Sequence, residues 1–140
     1  MKRQLQRHKV YKRAMTIILS MMVSYTGYSQ TIGIIKDLND SDIGSRATGG
    51  VDVGGVIYYA ADDGLHGTEL WKTDGTPSGT SMVKDINTQA PTASMQVAGI
   101  FSGSYPTHLT NVNGTLYFVA NDGVNGNELW KSDGTANGTV

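Results

Sequence analysis

From residue 109 onward the apolar positions fall into short blocks separated by glycine-bearing turns, the layout of strands rather than helices. Leu109 to Val112 is one such block, closed by Asn113-Gly114, the strongest short-range hairpin signal. Thr115 to Ala120 is aromatic and β-branched, as strands prefer, and ends at Asn121-Asp122-Gly123. Glu128 to Lys131 is a third block, Asp133-Gly134 turns the chain, and a fourth begins at Gly138-Thr139. An earlier stretch has the same layout, with blocks at Gly50 to Val53, Val56 to Ala61, Glu69 to Thr73 and Thr80 to Ile86. The pattern predicts an all-β chain of four-stranded antiparallel meanders.

The two stretches are copies of one unit. Val56 to Gly64 meets Thr115 to Gly123 at an offset of 59, and Glu69 to Thr76 meets Glu128 to Thr135 at the same offset. About half of the positions over 52–81 are identical to those 59 further on, without a gap. A second echo lies at offset 48, where Ile35 to Asn39 matches Val83 to Asn87. The period lies a little above the ~50 residues of kelch-type propeller blades. Repeat 1 then spans 50–87 and repeat 2 spans 109–140, the latter stopping at Val140 just where its own Val-Lys-Asp-Ile block should follow. That reads as a fragment of a longer protein with further repeats.

Leu116 to Ala120 is apolar without a polar face, as when both faces of a sheet are covered. Blades stacked radially in a β-propeller meet that condition, whereas a two-sheet sandwich predicts cleaner alternation. Residues 30–39 match a fourth strand without the three before it, as an outer strand closing a propeller ring would. The expectation is about two propeller-like blades, incomplete, in a repeat region over 30–140.

Charge separates the first thirty residues from the rest. Lys2, Arg3, Arg7, Lys9, Lys12 and Arg13 precede an apolar run from Ala14 to Val23, and Gly27-Tyr28-Ser29 follows. A basic head, a short apolar segment and small residues at −3 and −1 describe a helical secretory signal peptide over 1–29, cleaved between Ser29 and Gln30. The apolar run is too short to span a bilayer, which takes about 20 residues. An uncleaved anchor and a basic nucleic-acid-binding arm explain the run less well. The remaining 111 residues carry five basic residues against twelve carboxylates, a net charge of −7. Such a surface repels phosphate backbones, which argues against a nucleic-acid partner. Absence of cysteine excludes a disulfide scaffold, a thiolate zinc site and a thiol nucleophile.

Glu69-Leu70-Trp71-Lys72-Thr73-Asp74-Gly75-Thr76 and Glu128-Leu129-Trp130-Lys131-Ser132-Asp133-Gly134-Thr135 both spell ELWxxDGT. The chain therefore resembles the ELWxxDGT repeat family of exported bacterial proteins, typical of Bacteroidota, over essentially all of residues 31–140. The resemblance implies a propeller of several repeats, a secreted or cell-surface location and export by type IX secretion. It implies no established catalytic activity. The residues carrying it are Glu69, Leu70, Trp71, Asp74, Gly75, Thr76, Glu128, Leu129, Trp130, Asp133, Gly134 and Thr135, taken as a structural repeat motif.

Each candidate for chemistry has a structural counterpart reading. Glu69 and Glu128 could form a glycosidase carboxylate pair, but equal positions in successive copies point to the same local job in each. Trp71 and Trp130 could stack on sugars, or anchor blade packing with their N–H groups bonded to backbone. The Ser/Thr-Asp-Gly-Thr turns at 73–76 and 132–135 are similar to the Asp-box of propeller hydrolases, a folding device. Asp62-Asp63-Gly64 and Asn121-Asp122-Gly123 offer oxygen ligands that would suit calcium, yet lack EF-hand spacing, so solvated turns are favoured. His66 and His108 lack partners for a catalytic triad, and the Asn-Gly sequons read as turns. The connection 88–109, including Ser104-Tyr105-Pro106, has no equal in the first copy and is a candidate binding loop.

These readings add up to a non-catalytic secreted or surface module for binding or adhesion, without a cofactor or catalytic residues. The partner would be an extracellular protein or a glycan, and no membrane span is expected after signal cleavage. The alternatives are a propeller enzyme acting on extracellular polysaccharide with its catalytic residues outside this chain, and a calcium-stabilised structural surface protein.

Overall fold

A computed structural model describes residues 34–40, 44–93 and 102–140. The signal peptide over 1–29, its cleavage at Ser29 and Gln30, and the stretch Met95 to Phe101 lie outside the described residues.

The chain is all-β, with two antiparallel sheets. The first contains β1 (Thr48–Val53), β2 (Val56–Asp62), β3 (Thr68–Thr73) and β4 (Ser81–Lys84), hydrogen-bonded in chain order. The second contains β5 (Thr107–Val112), β6 (Thr115–Asn121) and β7 (Asn127–Ser132), again in order. Every strand lies where an apolar block stands between turn residues. Asn113 and Gly114 both take positive φ, 53° and 86°, as do Gly54 and Gly55, 65° and 87°. Two consecutive left-handed residues match the twist of the flanking strands, which is why Asn-Gly and Gly-Gly serve here. No helix among the described residues is long and apolar enough to cross a membrane.

The pairing registers of the two sheets differ by 59 throughout. Tyr59 opposes Trp71 and Ala60 opposes Leu70, while Phe118 opposes Trp130 and Val119 opposes Leu129. The irregularity between Thr48 and Val51 recurs between Thr107 and Thr110. After β7, Lys131 and Val140 exchange both backbone hydrogen bonds, at 2.8 and 3.0 Å, in the register that pairs Lys72 with Ser81.

Side chains alternate across each strand, so each sheet has two chemically distinct faces. One carries the tryptophan: Ile57, Tyr59, Ala61 and Trp71 in the first sheet, Leu116, Phe118, Ala120 and Trp130 in the second. The opposite face carries Tyr58, Ala60, Leu70 and Lys72, or Tyr117, Val119, Leu129 and Lys131. The sheets stack front to back, the tryptophan face of the second against the opposite face of the first. Tyr58, Leu70, Val83 and Ile86 share one core with Leu116, Phe118 and Ala120. Polar contacts border this core. Lys72 Nζ donates to Gly134 O and Lys84 Nζ to Thr139 O, each at 2.8 Å. The Lys84 ammonium also lies 5.6 Å from the Trp130 ring centroid.

The tryptophan face of the first sheet is covered differently. Tyr59, Ala61 and Trp71 form a second core with Leu38 and Ala47 packed against it. Burial pushes the Tyr59 hydroxyl up to about 12. Lys36 Nζ donates to Thr80 O at 2.8 Å, the same contact that Lys84 makes to Thr139. A β-carbon on Gly64 would meet Asn39 Oδ1, and one on Gly123 would meet Asn87 Oδ1. Residues 36–39 thus lie on the first sheet as 84–87 lie on the second.

Two expectations change here. Tyr58 to Ala61 are buried consecutively, as a doubly covered strand requires, but β6 alternates buried and half-buried positions. Its sheet is covered on one face. The indole N–H of Trp130 donates to Ala120 O at 3.2 Å as expected. That of Trp71 is buried with no partner among the described residues.

Candidate functional site

An antiparallel meander sorts its connections to two ends. At one end stand the β1–β2, β3–β4 and β5–β6 turns and the turn after β7. At the other stand the β2–β3 and β6–β7 loops, the chain leaving β4 and the chain entering β5.

The Asp-Gly turns of the first end are a folding device. Asp74 Oδ1 accepts from Thr76 N and Thr76 Oγ1, Gly79 N donates to Thr76 Oγ1, and the Thr80 hydroxyl donates to Thr76 O. Thr73 and Thr80 hydroxyls meet at 2.6 Å, and Gly75, at φ 89°, donates to Thr73 Oγ1. Asp133, Ser132, Gly134, Thr135, Gly138 and Thr139 repeat this network atom for atom. Hydrogen bonds from threonine hold the Asp74 and Asp133 carboxyls below their ordinary range. Both carboxylates are committed to turn geometry.

Two Asp-containing loops at the other end also turn inward on themselves. Asp63 Oδ1 accepts from Leu65 N and His66 N, and its Oδ2 lies 2.7 Å from His66 Nδ1. Asp122 Oδ1 accepts from Val124 N and Asn125 N, and Oδ2 accepts from Asn125 Nδ2. These oxygens cap backbone N–H groups as Asx turns do. No group of three or more metal-ligating side chains occurs among the described residues. The hydrogen bond that His66 donates to the Asp63 carboxylate raises the imidazole above its ordinary value, against the smaller opposing effect of burial. This pair contributes stability below about pH 6.5, lost as pH rises through the folded-state value of His66. An NMR titration is expected to show His66 titrating above the ordinary histidine value, and Asp63→Asn is expected to bring it back toward that value.

Glu69 holds the connection between the sheets. Although it is a carboxylate it is 0% exposed. It accepts from Ile86 N at 3.1 Å and Asn87 N at 3.4 Å, from Ser104 N at 2.8 Å, and from the Ser104 hydroxyl through a short bond. Burial raises its carboxyl above the ordinary value, and these four donors oppose the rise. Glu128 is exposed. The two glutamates therefore do different jobs, because the segment 102–106 covers only the first.

The clamp continues on both sides of Ser104. Tyr105 N donates to Thr68 O at 3.0 Å, and Asn121 N donates to Ser104 O at 2.9 Å. Gly103 lies so close to Thr68 that a β-carbon would collide with its backbone. Tyr105 takes a left-handed backbone, φ 49°, which a bulky residue adopts only when its surroundings enforce it. The residue is 54% exposed.

Tyr105 lines an open cleft of about 280 Å³ with Asn87, Ser102, Gly103, Asn121, Gly123 and Gly126. An equivalent cleft of about 440 Å³ lies one step back, lined by Asp37, Leu38, Asn39, Asp40, Asp63, Gly64 and Leu65. Asn39 and Gly64 stand in it where Asn87 and Gly123 stand in the other. One cleft is acidic, the other rich in amides with an aromatic wall. Tyr105 is reached from the sequence only through the connection that breaks the period. No protein-family model matches the chain, and neither a curated protein nor a solved structure does.

Proposed function

We propose that the protein is a non-catalytic binding module of the bacterial exterior, built from propeller blades and carrying its ligand site at the loop end. The rigidly clamped, exposed Tyr105 beside Asn87 and Asn121 is the observation that carries this reading. An aromatic face flanked by amides and backbone groups suits a neutral, hydroxyl-bearing ligand, and an extracellular glycan is the class favoured. Ordering cost is small because the backbone of 103–105 is already held on both sides.

Front-to-back stacking supports the propeller part. The same contacts occur where 36–39 meet the first sheet and where 84–87 meet the second, so the arrangement continues by repetition. In this reading residues 34–39 take the outer position of a blade whose inner strands come from further repeats. The basic, apolar leader supports export, and the ELWxxDGT resemblance supports a surface location.

A glycan array, followed by titration of any bound glycan, tests the site. Tyr105→Asn removes the ring while keeping a residue that tolerates the left-handed backbone. Binding is expected to fall at least tenfold with an unchanged melting temperature. Unchanged affinity in that variant, or an array without any binding, would count against the glycan site.

A further inference from the structure

We propose that the open face of the second sheet, formed by Tyr117, Val119, Leu129 and Lys131, is a docking surface for the tryptophan face of another sheet of the same repeat. The inference rests on the stacked-blade reading above and goes beyond it by naming the contact surface and its occupant.

The face is a copy of one whose partner is visible. Tyr58, Ala60, Leu70 and Lys72 stand 59 residues earlier, and three of the four residue types are unchanged. In the first sheet Tyr58, Ala60 and Leu70 are buried, Leu70 at 0% exposure, and Tyr58 and Leu70 share their core with residues of the second sheet. In the second sheet Leu129 is 72% exposed. Nearly identical local sequence with opposite exposure at Leu70 and Leu129 marks a surface shaped for a partner that the described residues do not supply.

The covering surface also has a known chemistry. It offers a flat apolar row, Leu116, Phe118 and Ala120, and a Ser/Thr-Asp-Gly-Thr turn. Gly134 of that turn accepts from Lys72 and has no room for a β-carbon beside the Tyr58 hydroxyl. A sheet docking on Leu129 would present the same row to Leu129 and Val119, and a turn glycine carbonyl to Lys131. The same interface is used a second time in part, by residues 36–39 on the first sheet.

A second copy of this chain does not offer that surface. Its first tryptophan face is covered by Leu38 and Ala47, and its second is packed against its own first sheet. The occupant is therefore a further repeat sheet with an uncovered tryptophan face.

The test lengthens the chain by placing a second copy of residues 82–140 after Val140, which keeps the 59-residue register. The chain has no cysteine, so Leu129→Cys gives a single thiol at an exposed position. In the original length this thiol is expected to react with an aromatic disulfide reagent at the rate of a free thiol. In the lengthened chain its reaction is expected to slow at least 100-fold, and Phe118→Lys in the appended copy is expected to restore it.

Equal reactivity at both lengths would overturn the proposal. So would a lengthened chain whose circular dichroism shows no added strand, since a docked sheet must fold on the face it covers. Concentration-dependent protection in the original length, with dimers in sedimentation, would assign the face to a second copy instead and likewise overturn it. Glycan binding is read separately. A reactive thiol with binding intact would end the docking proposal and leave the function above standing.

Discussion

Glu69→Ala is expected to lower stability by about 3 kcal/mol, whereas Glu128→Ala should change it by no more than about 0.5 kcal/mol. Both residues open the same ELW triplet, so local sequence does not distinguish them. Removing the Glu69 carboxylate leaves the N–H groups of Ile86 and Ser104, and the Ser104 hydroxyl, without their acceptor in a buried setting. Each such loss costs about 1–3 kcal/mol, offset in part by relief of a buried charge. The acid itself has a pH signature. Because its folded-state value lies above the ordinary one, its contribution is most favourable below about pH 4.5 and declines as pH rises through the folded value. Urea unfolding of wild type and Glu69→Gln across that range checks both points. The decline should flatten in the variant, and equal losses at Glu69 and Glu128 would contradict the clamp.

Phe118→Ala is expected to cost about 3–5 kcal/mol, the range for deleting a buried aromatic ring. Phe118 is fully enclosed, stacked on Trp130 with ring centroids 6.5 Å apart, and faces the core that the two sheets share. Leu129→Ala, in β7 of the same sheet, should cost no more than about 0.5 kcal/mol, because the residue is largely exposed. Chemical denaturation of the two variants gives the comparison. A large loss at Leu129 with a small one at Phe118 would reverse the assignment of inner and outer faces.

The strands were legible because the turn chemistry is local. Asn113-Gly114, Asp74-Gly75 and Asp133-Gly134 need left-handed residues, and those needs are written at single positions. The antiparallel order followed from the short connections. Which face of each sheet would be covered was not legible. Leu70 and Leu129, or Glu69 and Glu128, differ only in what lies above them, and that depends on a neighbour rather than on the strand. The continuous apolar run of β6 is likewise compatible with cover on both faces, yet only one face is covered here.

The site was legible in outline. The connection over 88–109 stood out by breaking the period, and Tyr105 lies within it. What the sequence did not disclose was the left-handed backbone at Tyr105 or the burial of Glu69 beneath Ser104. Both arise from contacts between residues about 35 positions apart. The missing bond at Trp71 Nε1, against the bond made by Trp130, shows the same limit on reading a repeat as identical units.

Front-to-back stacking of the two sheets underlies the proposed propeller and the proposed docking face together. Nuclear Overhauser spectroscopy on a sample with labelled methyl and aromatic groups reads it directly. Cross-peaks are expected to join Tyr58 and Leu70 to the cluster of Leu116 and Phe118, with none from Tyr58 or Leu70 to Leu129. Cross-peaks from Leu70 to Leu129 or Tyr117, without those to Leu116 and Phe118, would show the sheets packed back to back and contradict it.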